Sequence, residues 1–273
     1  MTTPSYSFRE AELKSPWLRA LNWLGAHVES IGIDGPKLTS DAVIRAAQSL
    51  AGSKHLGGDS FREPLDRYLR AVREEADLNL FGRLAVKSML VQSLRNRIEL
   101  ATWASEHPEV REQEIKEPWV IVGLPRTGTS LLSILLGLDP NARSLRHWEG
   151  SILIPPATLT TAAEDPRIAE SAKELAQLLK LNPAVGAMHP FGATIAQECV
   201  ALFMYDIRTL GVETQAHVPS YGNWLQGCDM SPAYVQHKLA LQVLQSAQPT
   251  ERWVLKTPNH LWCLETLLET YPD

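Results

Sequence analysis

The sequence predicts an α/β fold in which a P-loop-like parallel sheet is flanked by helices and preceded by a helical N-terminal region. Three observations predict it. Apolar residues recur at helical spacing through the first part of the chain. A short β-branched run, Trp119–Gly123, passes through a glycine-containing loop into an apolar stretch of helical length. A second such run, Arg252–Lys256, is followed again by a leucine-rich segment.

The elements come in this order along the chain. A short helix is expected near Asp41–Ala51, set apart from the next helical stretch by Gly57 and Gly58. Leu65, Leu69, Val72 and Ala76, then Leu80, Leu84, Val91, Leu94 and Ile98, keep one amphipathic phase, so one long helix or a broken pair spans about 62–105. The charged stretch Pro108–Glu117 reads as a surface connection, which divides a helical region, 1–115, from a core, 116–273. Trp119–Gly123 reads as a buried strand, Leu124–Gly128 as a loop, and Thr129–Leu138 as a helix stopped by Asp139 and Pro140. Asp165 is placed to cap a helix with Pro166 at its first position, burying Ile168, Ala172, Leu175 and Leu179. Gln197–Leu210 reads as a largely buried helix, and Ser231 and Pro232 start another that runs to about Gln245. Arg252–Lys256 is the second strand, and Thr257 and Pro258 open a last helix carrying Leu261, Leu264, Leu267 and Leu268. A stable sheet normally needs three strands, and a βα unit should return to a further parallel strand. The sequence instead ends at Tyr271-Pro272-Asp273, so the expectation is a C-terminal truncation or a strand supplied in another way.

Composition narrows the function classes. Of 273 residues, 44% are apolar and 21% charged, ordinary for a globular protein. A net charge of −5 argues against a chain that coats nucleic acid through a broad positive field, but leaves room for a local anion pocket. Cys199, Cys228 and Cys263 are far apart and form no CxxC pair, which suits neither a disulfide framework nor a zinc site. Charged residues from Arg9 to Arg19 interrupt any signal-peptide core, and no run approaches the ~20 apolar residues of a membrane span. A cytoplasmic protein with no transmembrane segment is expected, and a homo-oligomer is left open.

The loop Gly123–Ser130 carries the sharpest chemistry. The first N–H groups of a helix lack internal partners and lie at its positive end, so they hold anions. Gly128 allows close backbone approach, Arg126 adds a fork suited to phosphate, and Thr127, Thr129 and Ser130 supply hydroxyls. The spacing matches the nucleotide P-loop GxxxxGK followed by Ser or Thr, except that Thr129 stands where the lysine would be. That lysine serves the β- and γ-phosphates, so its absence counts against ATP or GTP hydrolysis.

At Pro125-Arg126-Thr127-Gly128-Thr129-Ser130 the chain resembles the sulfotransferases that use 3′-phosphoadenylyl sulfate (PAPS), in the variant with arginine in place of lysine. Arg252–Lys256 with Thr257-Pro258-Asn259-His260-Leu261-Trp262 is similar to the strand and helix that follow the substrate region in a broad, mostly bacterial group of that family. Glu198 in its Ala-Gln-Glu-Cys context, with Met188 and His189, also resembles that group, and the likeness covers roughly 60–273. It implies PAPS as co-substrate, no metal, Arg126, Thr127, Gly128, Thr129 and Ser130 as donor-binding residues, and Lys256 steadying the sulfonate or the bridging oxygen. Family members follow the last helix with a strand and an Arg and Ser that bind the 3′-phosphate. The sequence ends before these, which implies an incomplete donor site.

The base for the acceptor's proton stays open among three readings. His260 lies four residues after Lys256, whereas the family's familiar histidine lies two after, where this chain has Pro258. A neutral imidazole suits the task near pH 7. Glu149 is the competitor, since some sulfotransferases use a glutamate of this region. Glu198 sits in an apolar context where a lone carboxylate is costly, so it needs a partner such as His189 or an arginine, for catalysis or as a structural ion pair. The leading expectation is transfer of a sulfuryl group to a hydroxyl or amine of a small or lipid-like acceptor. A P-loop kinase or NTPase and a truncated non-catalytic homologue are the alternatives.

Overall fold

The computed structural model describes residues 16–30, 36–182, 185–186 and 190–273. Among the described residues four helices lead: α1 (Pro16–Ser30), α2 (Ser40–Ala51), α3 (Arg62–Glu75) and α4 (Leu80–Glu106). Thr39 caps α2 by accepting from the Ala42 N–H at 3.3 Å, and Gly52 ends it at φ +63°. The helical stretch over 62–105 is the broken pair, and Leu84, expected on the buried face, is exposed. Asp77 takes a positive φ of 43°, and Asn79 recaps the chain by accepting from the Gly82 N–H at 2.9 Å. The long helix α4 buries Val86, Leu90, Leu94 and Ile98.

The connection at 108–117 is more than a surface strap. Pro108–Glu112 forms a 3-10 turn, and Val110 and Ile115 are buried. The Gln242 amide donates to the carbonyls of Arg111 and Gln113, and that of Gln245 to the carbonyl of Glu114. Both glutamines stand on a later helix, α10 (Ser231–Ala247), so the connector is packed and tied.

Among the described residues the sheet has three parallel strands, β1 (Trp119–Ile121), β2 (Ala142–Ser144) and β3 (Arg252–Lys256), in the order β1-β3-β2. The third strand is β2, unheralded because Ala-Arg-Ser holds no β-branched residue. As the centre, β3 is buried from Trp253 to Lys256; β1 is an edge, with only Ile121 fully buried. α5 (Thr129–Leu136) follows β1, and α6 (His147–Ser151) follows β2. α7 (Pro166–Leu181) has the predicted cap, Asp165 accepting from Arg167 N–H at 3.0 Å. Its buried residues are Ser171 and Leu175, while Ala172 is exposed, so the face is rotated from the expected one.

The expected helix over 197–210 is divided. α8 covers Val200–Phe203, and 3-10 turns cover Met204–Asp206 and Leu210–Val212. Ile207 is left-handed at φ 64°, which ends the helix. The bend delivers the buried Asp206 carboxylate to Arg97, Arg208 and Ser60. α9 (Pro219–Leu225) has no counterpart among the expected elements. At α10, Asp229 rather than Ser231 supplies the cap-like oxygen, accepting from the Ser231 N–H at 2.9 Å. After β3, Pro258–Trp262 is a 3-10 turn and α11 spans Leu264–Thr270. Of its leucines, Leu267 is buried while Leu264 and Leu268 are exposed. One hydrophobic cluster, reaching from Val43 to Tyr271, draws on the leading helices and the sheet region alike. Among the described residues, no helix is long and apolar enough to cross a membrane.

Candidate active site

Ile121 pairs with Lys256 in the parallel register of β1 and β3. The glycine loop and Lys256 therefore leave the sheet side by side at its carboxyl edge, where open α/β sheets bind ligands. In the loop, Arg126 (φ 66°) and Gly128 (φ 90°) are left-handed, and the Thr127 hydroxyl donates to the Leu124 carbonyl at 2.7 Å. The Gly128 carbonyl accepts from the Leu132 N–H at 3.1 Å, so α5 begins directly behind the loop. A Cβ on Gly128 would meet nothing within 4 Å, which leaves the helix N-terminus open to a ligand. Arg126 is exposed beside it. Left-handed geometry at a non-glycine residue costs about 1–2 kcal/mol, and here it falls on the cation of the loop.

Lys256 is 5% exposed, and its ammonium donates to the Ser130 hydroxyl at 3.1 Å and to the Glu198 carboxylate. Burial of a lysine is tolerable because these partners satisfy it. Glu198 reaches the lysine on an extended segment stitched to two strand ends. Gln197 N–H donates to the Leu145 carbonyl at 2.7 Å, just beyond β2, and Cys199 N–H donates to the Lys256 carbonyl at 2.8 Å, at the end of β3. Ala196 also bridges antiparallel to Arg146. A cleft of about 20 Å³ lies between Ser130, Ser133, Gln197, Glu198 and Lys256, room for a water-sized group. Ser133 comes to the cleft on α5, one turn after Ser130, and Gln197, which had no local sequence signal, is brought there by the stitching. Burial pushes the neighbouring Cys199 thiol up to about 12, so it is no nucleophile at neutral pH.

The other two candidate bases lie elsewhere. Both Glu149 oxygens are engaged, one by Arg143 at 2.5 Å and the other by the Arg146 N–H at 3.0 Å. Arg143 also donates to the carbonyls of Leu244 and Gln248, so the pair ties β2 to α10. His260 is fully buried, shares a 2.6 Å hydrogen bond with the Tyr234 hydroxyl, and packs on Phe203 and His237. Burial depresses its pKa to about 3. His189 lies outside the described residues. Among the described residues, no group of three or more His, Cys, Asp or Glu is placed to hold a metal ion.

A model of the sulfotransferase family matches residues 118–273, which include the loop, Glu198 and Lys256. The chain belongs to the sulfotransferase family. It is similar in structure to sulfotransferase STF1 from Mycobacterium tuberculosis, at a TM-score of 0.78 and 33% identity over 86% of this chain and 65% of that one. It is likewise similar to sulfotransferase STF9 from Mycobacterium avium, at 0.79 and 33% over 87% of this chain and 61% of that one. This sulfotransferase-family chain thus spans less than two thirds of the length of either relative. No curated protein matches it.

Proposed function

We propose that the chain transfers a sulfuryl group from PAPS to a hydroxyl or amine of a small or lipid-like acceptor. The observation that carries this reading is the meeting of Lys256 with both Ser130 of the phosphate loop and Glu198. A cation, a helix N-terminus and a carboxylate converge at one sheet edge, which is the set that group transfer to an oxygen requires.

When bound, PAPS would supply a sulfuryl group on a phosphate leaving group; transfer would make one S–O bond to a hydroxyl acceptor, or one S–N bond to an amine, and break the S–O bond to the phosphate, whose oxygen keeps the electron pair. Arg126, Thr127, Gly128, Thr129 and Ser130 would hold the 5′-phosphosulfate, through backbone N–H groups at the start of α5 and the Arg126 guanidinium. Lys256 would stabilise charge near the transferring group. Glu198 is the base this geometry favours, since its carboxylate shares the cleft with Lys256 and Ser130. Arrival of the anionic donor would draw Lys256 away from Glu198 and free a carboxylate oxygen for the acceptor's proton. Glu149 and His260 then serve as structural ties.

Titration calorimetry with 3′-phosphoadenosine 5′-phosphate, beside ATP–Mg²⁺, tests the donor reading. Binding of the bisphosphate in preference to ATP, weakened by Arg126→Ala by roughly 1.5–3 kcal/mol as for a charge-assisted bond, is the expected result. Preference for ATP would overturn it in favour of a kinase, and silence for both would favour a non-catalytic homologue.

A further inference from the structure

A second, larger cavity of about 410 Å³ lies between α4, α7 and the 197–205 segment. It shares Gln197 with the cleft of Lys256 and Glu198, so one residue walls both spaces. Its volume falls in the range of roughly 300–1,000 Å³ typical of small-molecule sites.

The lining has a definite chemistry. Gln92, Ser93, Asn96, Ser151 and Gln197 bring uncharged polar groups, and Met89, Ala201 and Met204 bring apolar surface. Among the described residues, no lysine, arginine or histidine contributes, and the sole carboxylate is Glu174, which is exposed on α7. The amides are held in place: Gln92 donates to Asn96 Oδ1 at 2.8 Å, and Asn96 donates to the Ser151 carbonyl at 2.9 Å. Gln197 Oε1 accepts from the Glu198 N–H at 2.9 Å, which orients the amide and fixes the junction. Fixed side-chain amides both donate and accept, as hydroxyl groups require of their partners. Among the described residues an anionic acceptor would find no cation here, and burial would strip its solvation without compensation.

We propose that this cavity seats the acceptor, and that the acceptor is an uncharged, hydroxyl-rich group of glycosyl type. The proposal rests on the sulfuryl-transfer reading. A hydroxyl of the seated group would extend past Gln197 into the cleft; its oxygen forms the new S–O bond, its proton passes to Glu198, and the bond from sulfur to the phosphate oxygen breaks with its electrons on that oxygen. Methionine side chains suit the apolar faces of a sugar ring, being adaptable in shape. The cavity of about 480 Å³ lined by Ile134, Leu138 and Ile195 differs, for two arginines, Arg143 and Arg146, contribute to its wall.

Ligand-observed NMR with methyl β-glucoside and methyl β-glucuronide tests this without the donor. Saturable binding of the glucoside, at least ten-fold weaker for the anionic glucuronide, is expected. Met89→Trp, which fills the cavity, should abolish glucoside binding while leaving bisphosphate affinity unchanged. If that variant fails to fold, Gln197→Ala should weaken the glucoside ten-fold or more. Absent binding, equal binding of both glycosides, or binding that survives Met89→Trp would overturn the proposal. If the glucoside binds as expected but the bisphosphate does not, the cavity is a glycoside site and the donor reading is the one that fails.

Discussion

Two glutamates of the core illustrate how burial and partners separate chemistry from architecture. Glu149 is enclosed with Arg143 and has no oxygen to spare. Glu149→Gln would leave that guanidinium buried without its counter-charge, and breaking such a pair costs about 3–5 kcal/mol. Urea denaturation should show this loss. Glu198 is only partly buried, its carboxylate held by one lysine at the mouth of a cleft. Glu198→Gln leaves the buried Lys256 ammonium without its counter-charge and so should also cost stability, but its distinguishing mark is a kcat reduced roughly 100- to 10,000-fold in the folded variant, the span of general-base catalysis; an unchanged kcat would remove it as the base. The sequence made both residues visible as candidates, along with His260, but could not rank them. Ranking depends on Arg143 and Tyr234, which are six and twenty-six residues away from the groups they engage, and no local pattern links such pairs.

At the scale of elements, the strand–loop–helix was legible because its signals are local: β-branched residues, a glycine at positive φ and an apolar helix. Gly128→Ala would force a side chain into the left-handed region at a cost of about 1–2 kcal/mol. Since nothing crowds that position, the cost is conformational, and relief by reshaping the loop would weaken bisphosphate binding. Thermal unfolding and calorimetry together read both effects. β2 and the break at Ile207 were not legible, being set by pairing with β3 and by the pull of Arg97 and Arg208 on Asp206. The packing of α10 against the 258–271 segment encloses His237 and His260, with hydroxyl partners Tyr271 and Tyr234. Burial depresses both pKa values, that of His260 to about 3. In the unfolded chain these histidines take up protons near pH 6.5, while the folded state refuses them. Their contribution is thus present above that pH and declines as pH falls toward 3, by up to about 1.4 kcal/mol per pH unit for each. Urea midpoints at pH 7.5 and 5.5 should differ accordingly, and a flat profile would contradict the enclosure of this pair.

Across the whole molecule, the division between a helical region, 1–115, and a core, 116–273, describes the order of elements rather than two separate interiors, because one hydrophobic cluster crosses it. A polar tie crosses it as well. Arg97 of α4 is 1% exposed; it donates to Asp206 at 2.8 Å, to the Tyr205 carbonyl at 3.3 Å, and to the carbonyls of Leu56 and Gly57. Asp206 is also met by Arg208 and Ser60, so one carboxylate gathers groups from three parts of the chain. Desolvation lowers the Arg97 pKa and the Asp206 charge opposes that fall, as expected of a cation that persists only because it is paired. Arg97→Ala would strip most of these partners at once and cost about 3–5 kcal/mol. Tyr205 and Met204, adjoining the tie, also line the larger cavity, so the loss should reach glucoside binding more than bisphosphate binding at the distant glycine loop. The comparison is to be made under conditions where the variant remains folded. A single calorimetric unfolding transition for both proteins is expected, since the shared cluster gives neither region an interior of its own; two resolved transitions would show that the helices and the sheet fold separately.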